Sequence, residues 1–408
     1  MTSARDASSV ERTSQGLALA ERLALLYAAS IPFEGLAIGG RSLPFVVGAV
    51  YLTASILTRL TSKRRQVGDD LPIRPILPAT FFTLFCVVSY FWSVAPDLTI
   101  TRVTSLVVLL VTSWFLSQDL SRVSKHIPVV FVLGALPVVI LVLAAPMSIT
   151  GRRTASGNAN QVALDLLLAV VCALWLLLRR RGRARFLGAT SIALLIAGVV
   201  ATGSRTAIVA GGGALLAIVG WLAWKHQGRQ LMLLLVLSVL GAKVFSVLPV
   251  GMIPSRLITV QSAVEAGSFG GREYIWSVIL ERGFDLTGIG AGTTSAYLQQ
   301  ATGIPYVSHN VFLGVVLETG LLGMLLFLMI LVKAAIDARR SPYRELLFFM
   351  LPVMVASSMA LTLESTRPFW FVLSLAWAVK PRESECPRWP DHLRPATTVK
   401  SAIHGLHP

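Results

Sequence analysis

One of the six histidines in this chain of 408 residues, His309, stands where an imidazole can act on a substrate. It lies beside Asn310, where a long polar segment gives way to an apolar run, and Ser308 before it is a candidate N-cap. The positive end of a helix dipole disfavours a charged ring there. A neutral imidazole accepts a proton from a hydroxyl. Two arginines offer the complementary chemistry. Arg205 stands in Thr202-Gly203-Ser204-Arg205-Thr206, a very short connection between apolar runs, and Arg272 follows Gly270 and Gly271 in the polar segment. A guanidinium is permanently charged and grips phosphate oxygens in a planar fork. One base and two such clamps equip a transfer reaction with a diphosphate leaving group. Singly, each has a plainer reading: an interfacial histidine, an arginine snorkelling to lipid phosphate, a loop charge. Asn158 and Asn160, with Arg152 and Arg153, flank another connection; they either add sugar or phosphate contacts or form an ordinary turn.

The elements that must position these residues are membrane helices. The sequence is 54% hydrophobic and 14% charged, with a mean hydropathy of +0.71, which excludes a soluble domain with a polar shell. Runs of ~20 apolar residues, enough to cross a ~30 Å hydrocarbon core, recur along the chain. They predict an all-α polytopic fold of about twelve spans, at roughly 17–38, 43–60, 75–95, 99–117, 127–146, 160–178, 186–203, 206–224, 230–250, 309–332, 345–363 and 369–379. Glu21, Arg22 and Glu34 burden the first, and the last is short.

Basic residues cluster in every second connection: Lys63 to Arg65, Arg122 and Lys125, Arg179 to Arg185, Lys225 and Arg229, Lys333 to Arg340. By the positive-inside rule those connections and both termini are cytoplasmic. The net charge of +16 is thereby spent on orientation, and no nucleic-acid partner is implied. The division that follows is a transmembrane bundle over 1–250, one large extracytoplasmic (periplasmic) loop over 251–308 between the ninth and tenth spans, further spans over 309–380, and a cytoplasmic tail over 381–408. Within the loop, Tyr274, Ile275, Val278 and Ile279 recur at helical spacing, for a short amphipathic helix lying in the interface or packed on the bundle.

The remaining polar residues sort by topology. His126 and His226 fall in cytoplasmic connections, and His392, His404 and His407 in the tail. Glu318, nine positions after His309, points to the opposite helical face and so to packing or an intrabundle hydrogen bond. Arg102, Asp165 and Lys243 are intramembrane charges without an assignable partner. The loop carboxylates have no metal-ligand spacing, so neither metal nor cofactor is expected. Cys86, Cys172 and Cys386 imply no disulfide, and the first apolar run, lacking a small-residue cleavage site, reads as a retained helix.

Three segments resemble the O-antigen ligase-related membrane glycosyltransferases, which include O-antigen ligases and O-antigen or exopolysaccharide polymerases. They are Thr202 to Ala207, Gly271 to Trp276 continuing to Gly288-Ile289-Gly290-Ala291-Gly292, and His309-Asn310 followed by Glu318, Gly320 and Gly323; Gly157 to Gln161 is a looser likeness. The resemblance implies an undecaprenyl-diphosphate-linked glycan donor and a sugar hydroxyl acceptor, on a lipid A core or another lipid-linked glycan, in lipopolysaccharide or exopolysaccharide biosynthesis at the bacterial inner membrane. It implies that Arg205 and Arg272 hold the diphosphate and that His309 is the base, with Asn310, Asn158 and Asn160 as further substrate contacts. The displacement would invert the anomeric carbon without a metal. The competing class is a transporter or flippase of lipid-linked sugars. The absence of an internal repeat, and a long loop after the ninth span instead of the sixth, weigh against it.

Overall fold

The computed structural model describes residues 19–35, 37–38, 41–61, 76–146, 153, 158–228, 230–232, 234–235 and 272–378. Most of the expected ninth span, Lys243, Arg152, the first part of the large loop with Gly267 to Gly271, and the tail with Cys386 and its histidines lie outside the described residues. The described chain is helical apart from a two-residue antiparallel pairing of Ala37–Ile38 with Arg41–Ser42. Its helices are α1 (residues 19–30), α2 (Leu43–Thr61), α3 (Leu77–Val88), α4 (Pro96–Arg122), α5 (Ile127–Ala144), α6 (Ala159–Arg179), α7 (Gly182–Ala201), α8 (Arg205–Trp224), α9 (Arg272–Glu281), α10 (Thr294–Thr302), α11 (Val311–Ala338), α12 (Arg344–Ser358) and α13 (Arg367–Trp377). Proline in the first turn starts α3, α4, α5 and α13, where its missing N–H costs nothing and its φ is already helical.

Seven of these helices, α2, α4, α5, α6, α7, α8 and α11, are long and apolar enough to cross a membrane, and the chain is a polytopic membrane protein. The sequence predicts about twelve spans, and three of the differences have a physical cause. The 12-residue α3 stops at Val88 and continues as a 3-10 turn, Ser89–Trp92. The 15-residue α12 carries Pro352 inside it. The 11-residue α13 rises only about 16 Å at ~1.5 Å per residue, and every residue from Pro368 to Trp377 is buried. It is therefore a core half-helix, and its Trp370 carbonyl accepts from Ser113 of α4.

The bundle is built around α6, of which 78% of the most apolar stretch is buried, flanked by α5, α7 and α8. Close approach is set by small residues: a Cβ on Gly134 of α5 would meet the Ala29 carbonyl oxygen at 1.9 Å, and one on Gly188 of α7 the Ala173 oxygen at 2.6 Å. Ion pairs then mark the two ends. At one, Arg59 meets Asp119 at 3.0 Å, Arg179 meets Glu345 at 2.9 Å, and Arg122 lies 3.9 Å from Glu21. At the other, Arg367 spans both carboxylate oxygens of Glu34 at 2.7 and 2.9 Å, and Arg102 meets Glu364 at 2.6 Å. Glu34, a burden to a lipid-facing first span, is thus paired inside the bundle.

Candidate active site

The end marked by Glu34–Arg367 and Arg102–Glu364 also holds the starts of α8 and α11, so Arg205 and His309 share it. The chain from α9 to the start of α11 forms a cap there. Ile275 and Ile279 of α9 are buried against Ile289, Leu298 of α10 and Leu317 of α11, while Tyr274 is exposed. The amphipathic helix foreseen around Tyr274 to Ile279 is therefore packed on the bundle. Trp276 of α9 donates from Nε1 to the Ser308 carbonyl at 2.9 Å. One hydrogen bond thus joins the helix that carries Arg272 to the residue preceding His309.

The entry to α11 differs in detail from the sequence reading. The N-cap is Asn310, whose Oδ1 accepts from the backbone N–H groups of Phe312 at 2.9 Å and Leu313 at 3.1 Å. Ser308, the expected cap, is buried and donates to the Asn310 carbonyl at 2.9 Å. Its hydroxyl braces the turn one step earlier because the chain first reverses at His309, which has φ 50°. That left-handed backbone is costly for a residue with a Cβ and is concentrated at functional sites. The half-buried His309 thus stands just outside the first turn of α11, still near its positive end.

Arg205 opens α8. The turn before it is tight: Gly203 has φ 64°, Thr202 Oγ1 donates to the Val199 carbonyl at 2.6 Å, and Ser204 caps α8 by accepting from Ala207 N–H at 3.3 Å. A cation in the first turn opposes the helix dipole by roughly 0.3–1 kcal/mol, whereas the same dipole favours an anion at the helix start. Arg272 is the first described residue of α9 and is half-buried. Asn158 is the N-cap of α6, its Oδ1 accepting from Asn160 N–H at 3.0 Å. That bond commits the Asn158 side-chain oxygen to its own helix. Asn160 is buried, 7% exposed.

Glu318 makes an intrabundle hydrogen bond, one of the two roles expected of it, and other polar residues at this end gain partners that sequence reasoning did not name. Glu318, 7% exposed, accepts from Gly292 N–H at 2.7 Å, Thr294 N–H at 3.2 Å and Thr294 Oγ1 at 2.6 Å. Arg102 gains the partner it lacked, Glu364, with Ser365 beside it. Asp165 accepts from Gln161 at 3.2 Å on its own helix. Asp285 at the head of the glycine segment feels a burial cost, but the Gly288 N–H and the nearby Arg282 outweigh it and hold its carboxyl below the usual carboxylate range. The available signal was the rule that an ionisable residue inside an apolar run has a partner; it flags Glu318 and Arg102 without naming the partner. Among the described residues no three His, Cys, Asp or Glu side chains converge as a metal site.

Residues 190–328 match the family model described as O-antigen ligase. The match runs from within α7 to within α11 and includes Arg205, Arg272, His309 and Glu318. It supports an O-antigen ligase-related family and a membrane glycan-processing function in surface polysaccharide biosynthesis, with a lipid-linked glycan and a sugar acceptor as the general substrates. No curated protein matches the chain.

Proposed function

We propose that this O-antigen ligase-related chain is a glycosyltransferase that moves a glycan from undecaprenyl diphosphate to a sugar hydroxyl at the periplasmic face of the inner membrane. The observation that carries the reading is the Trp276–Ser308 hydrogen bond, which ties the Arg272 helix to the turn bearing His309 at the end of the bundle where Arg205 opens α8. In this reading the acceptor oxygen attacks the anomeric carbon as its proton passes to His309. The bond from that carbon to the diphosphate oxygen breaks, and Arg205 and Arg272 take up the charge on the departing diphosphate. Attack opposite the leaving group inverts the anomeric centre. Two guanidinium groups supply the charge that a metal supplies in other diphosphate chemistry, so no metal is required. Asn310, which follows His309, and Asn160, at the start of α6, are candidates for sugar contacts. The acceptor is either a lipid A core or a second lipid-linked glycan.

The orientation is part of the same proposal: both termini cytoplasmic, the 251–308 loop periplasmic, the bundle of 1–250 and the helices of 309–380 spanning the membrane, and the 381–408 tail inside. The alternating basic connections and the positive-inside rule support it.

The test is glycan transfer from a synthetic undecaprenyl-diphosphate-linked donor in proteoliposomes, with protein abundance matched. Arg272→Lys keeps the charge and loses the fork, so transfer is expected to fall at least tenfold, while wild-type transfer is expected to survive a chelator. Wild-type rates in the lysine variant would reduce Arg272 to a screening charge. Donor movement across the bilayer without any glycan transfer would point to a flippase instead.

A further inference from the structure

The first half of α11 and the second half are separate helices in hydrogen-bonding terms. Gly320 has φ 65° and ψ −168°, which no helical residue adopts. In an unbroken helix the Leu321 N–H would donate to the Leu317 carbonyl and the Leu322 N–H to the Glu318 carbonyl. Instead Leu321 donates to the Asp285 carbonyl at 3.0 Å and Leu322 to the Leu286 carbonyl at 3.2 Å, and the vacated Leu317 and Glu318 carbonyls accept from Ile289 at 3.1 Å and Gly290 at 2.8 Å. Two helical bonds are exchanged for four bonds to residues 285–290. Each of these backbone groups, left unpaired in a buried site, would cost ~1–3 kcal/mol, so the break and the glycine segment require each other.

The side chain of Glu318 extends the join by one more turn of chain. The helix α10 has no cap of its own, since Thr293 makes no side-chain cap bond. Glu318 does this from a different helix, taking the N–H groups of Gly292 and Thr294 and the Thr294 hydroxyl. Charge-assisted bonds to backbone N–H groups at a helix start are among the stronger hydrogen bonds. With three donors engaged on its two oxygens, this carboxylate is a holding group and not a base.

We propose that Glu318 is a positioning residue of the transfer site: its carboxylate locks the segment Gly292 to Thr294 onto the α11 break and so fixes the Arg272 helix relative to the turn that bears His309. Both sides of that relation pass through the locked segment. Upstream, α9 packs through Ile275 and Ile279 onto Ile289, Leu298 and Leu317. Downstream, α10 runs to Gly303, and a short strap to Ser308 leads straight into His309. A slip of the lock moves α9 and the strap apart while leaving the membrane helices in place. Misplacing reacting groups by ~1 Å costs about a hundredfold in rate.

The effect on catalysis rests on the proposed transferase reading; the effect on geometry does not, and the test uses both. Glu318→Gln keeps the volume but turns one acceptor into an N–H₂ facing an N–H, and Thr294→Val removes only the hydroxyl donor. In full-length protein, kcat for transfer is expected to fall about 10- to 100-fold in Glu318→Gln and severalfold in Thr294→Val. The KM for the donor and the shape of the pH–rate profile are expected to stay as in wild type, because the arginines and His309 are untouched. Separately, spin labels at Tyr274→Cys and Ile304→Cys, both exposed, in a Cys386→Ser background, report the distance from α9 to the strap. The distribution should broaden or shift in Glu318→Gln and less so in Thr294→Val. If wild-type protein shows no transferase activity, the distance change still decides the positioning role. An unchanged distribution in Glu318→Gln overturns the proposal, as does failure of both variants to accumulate as folded protein, which would make Glu318 a general stability residue.

Discussion

Two helices, α6 and α11, each bury a carboxylate in their first half, and they use it in opposite ways. In α6 the helix is unbroken, and Asp165 is fully buried with Oδ1 bonded to Gln161 one turn away and, among the described residues, no close hydrogen-bond donor on Oδ2. In α11 the helix is broken at Gly320, and Glu318 is bonded to three donors from a distant segment. An unbroken helix satisfies its own backbone and has nothing left with which to hold a loop. A broken one exposes four backbone groups, and a loop that answers them is placed with the accuracy of secondary structure. The same contrast separates the two ends of the bundle. One is closed by simple ion pairs such as Arg179–Glu345, the other by a cap in which backbone, carboxylate and glycines interlock.

The sharpest way to break the α11 side of this comparison is Gly320→Val. A Cβ there would lie 2.4 Å from the Leu286 carbonyl carbon in a backbone region closed to a β-branched residue. We expect loss of the protected amide hydrogens of residues 285–294 in hydrogen exchange and transfer at background, with the remaining helices intact. Gly288→Ala attacks the same join from the loop side, its Cβ falling 2.4 Å from the Glu318 carbonyl carbon at φ 71°. A thermal melt in detergent should show destabilisation of about 1–3 kcal/mol from the strained backbone alone. On the α6 side, Asn158→Ala removes the N-cap, and about 0.5–2 kcal/mol of stability is expected to go with it. If the melt moves little while transfer falls more than tenfold, Asn158 is a substrate contact and not only a cap. The smallest effect is expected from Asp165→Asn, which removes an incompletely satisfied carboxylate without changing its volume. Transfer should stay within about twofold and the melting temperature should hold or rise. A large loss of transfer there would show that the unbroken helix also serves the site.

These differences mark what a sequence can and cannot disclose. Apolar runs and alternating basic connections locate the seven membrane-length helices to within six residues at either end, because lipid imposes one length and one composition on each. The short α13 is located, at 369–379, but reads as a span because burial in protein and burial in lipid demand the same apolar residues. Residue type and expected outward placement single out Arg205, Arg272 and His309, and the structure sets Arg205 and His309 at one end of the bundle. Their supports were not legible: Trp276 reaching the Ser308 carbonyl and Gly292 N–H reaching Glu318 are contacts between residues tens of positions apart, made largely by backbone groups that every residue has. The cap of α11 was misassigned to Ser308 because Ser and Asn cap equally well, and only the reversal at His309 decides for Asn310.

The central claim, that His309 is a base held at a site where the arginines bind the donor, is tested most directly by measuring donor binding and glycan transfer on one preparation of His309→Ala. The account predicts an inserted, folded protein whose donor affinity is close to wild type and whose transfer rate is lower by about 10²- to 10⁴-fold. Transfer at close to the wild-type rate would contradict it, as would a loss of transfer that merely follows a loss of folded protein.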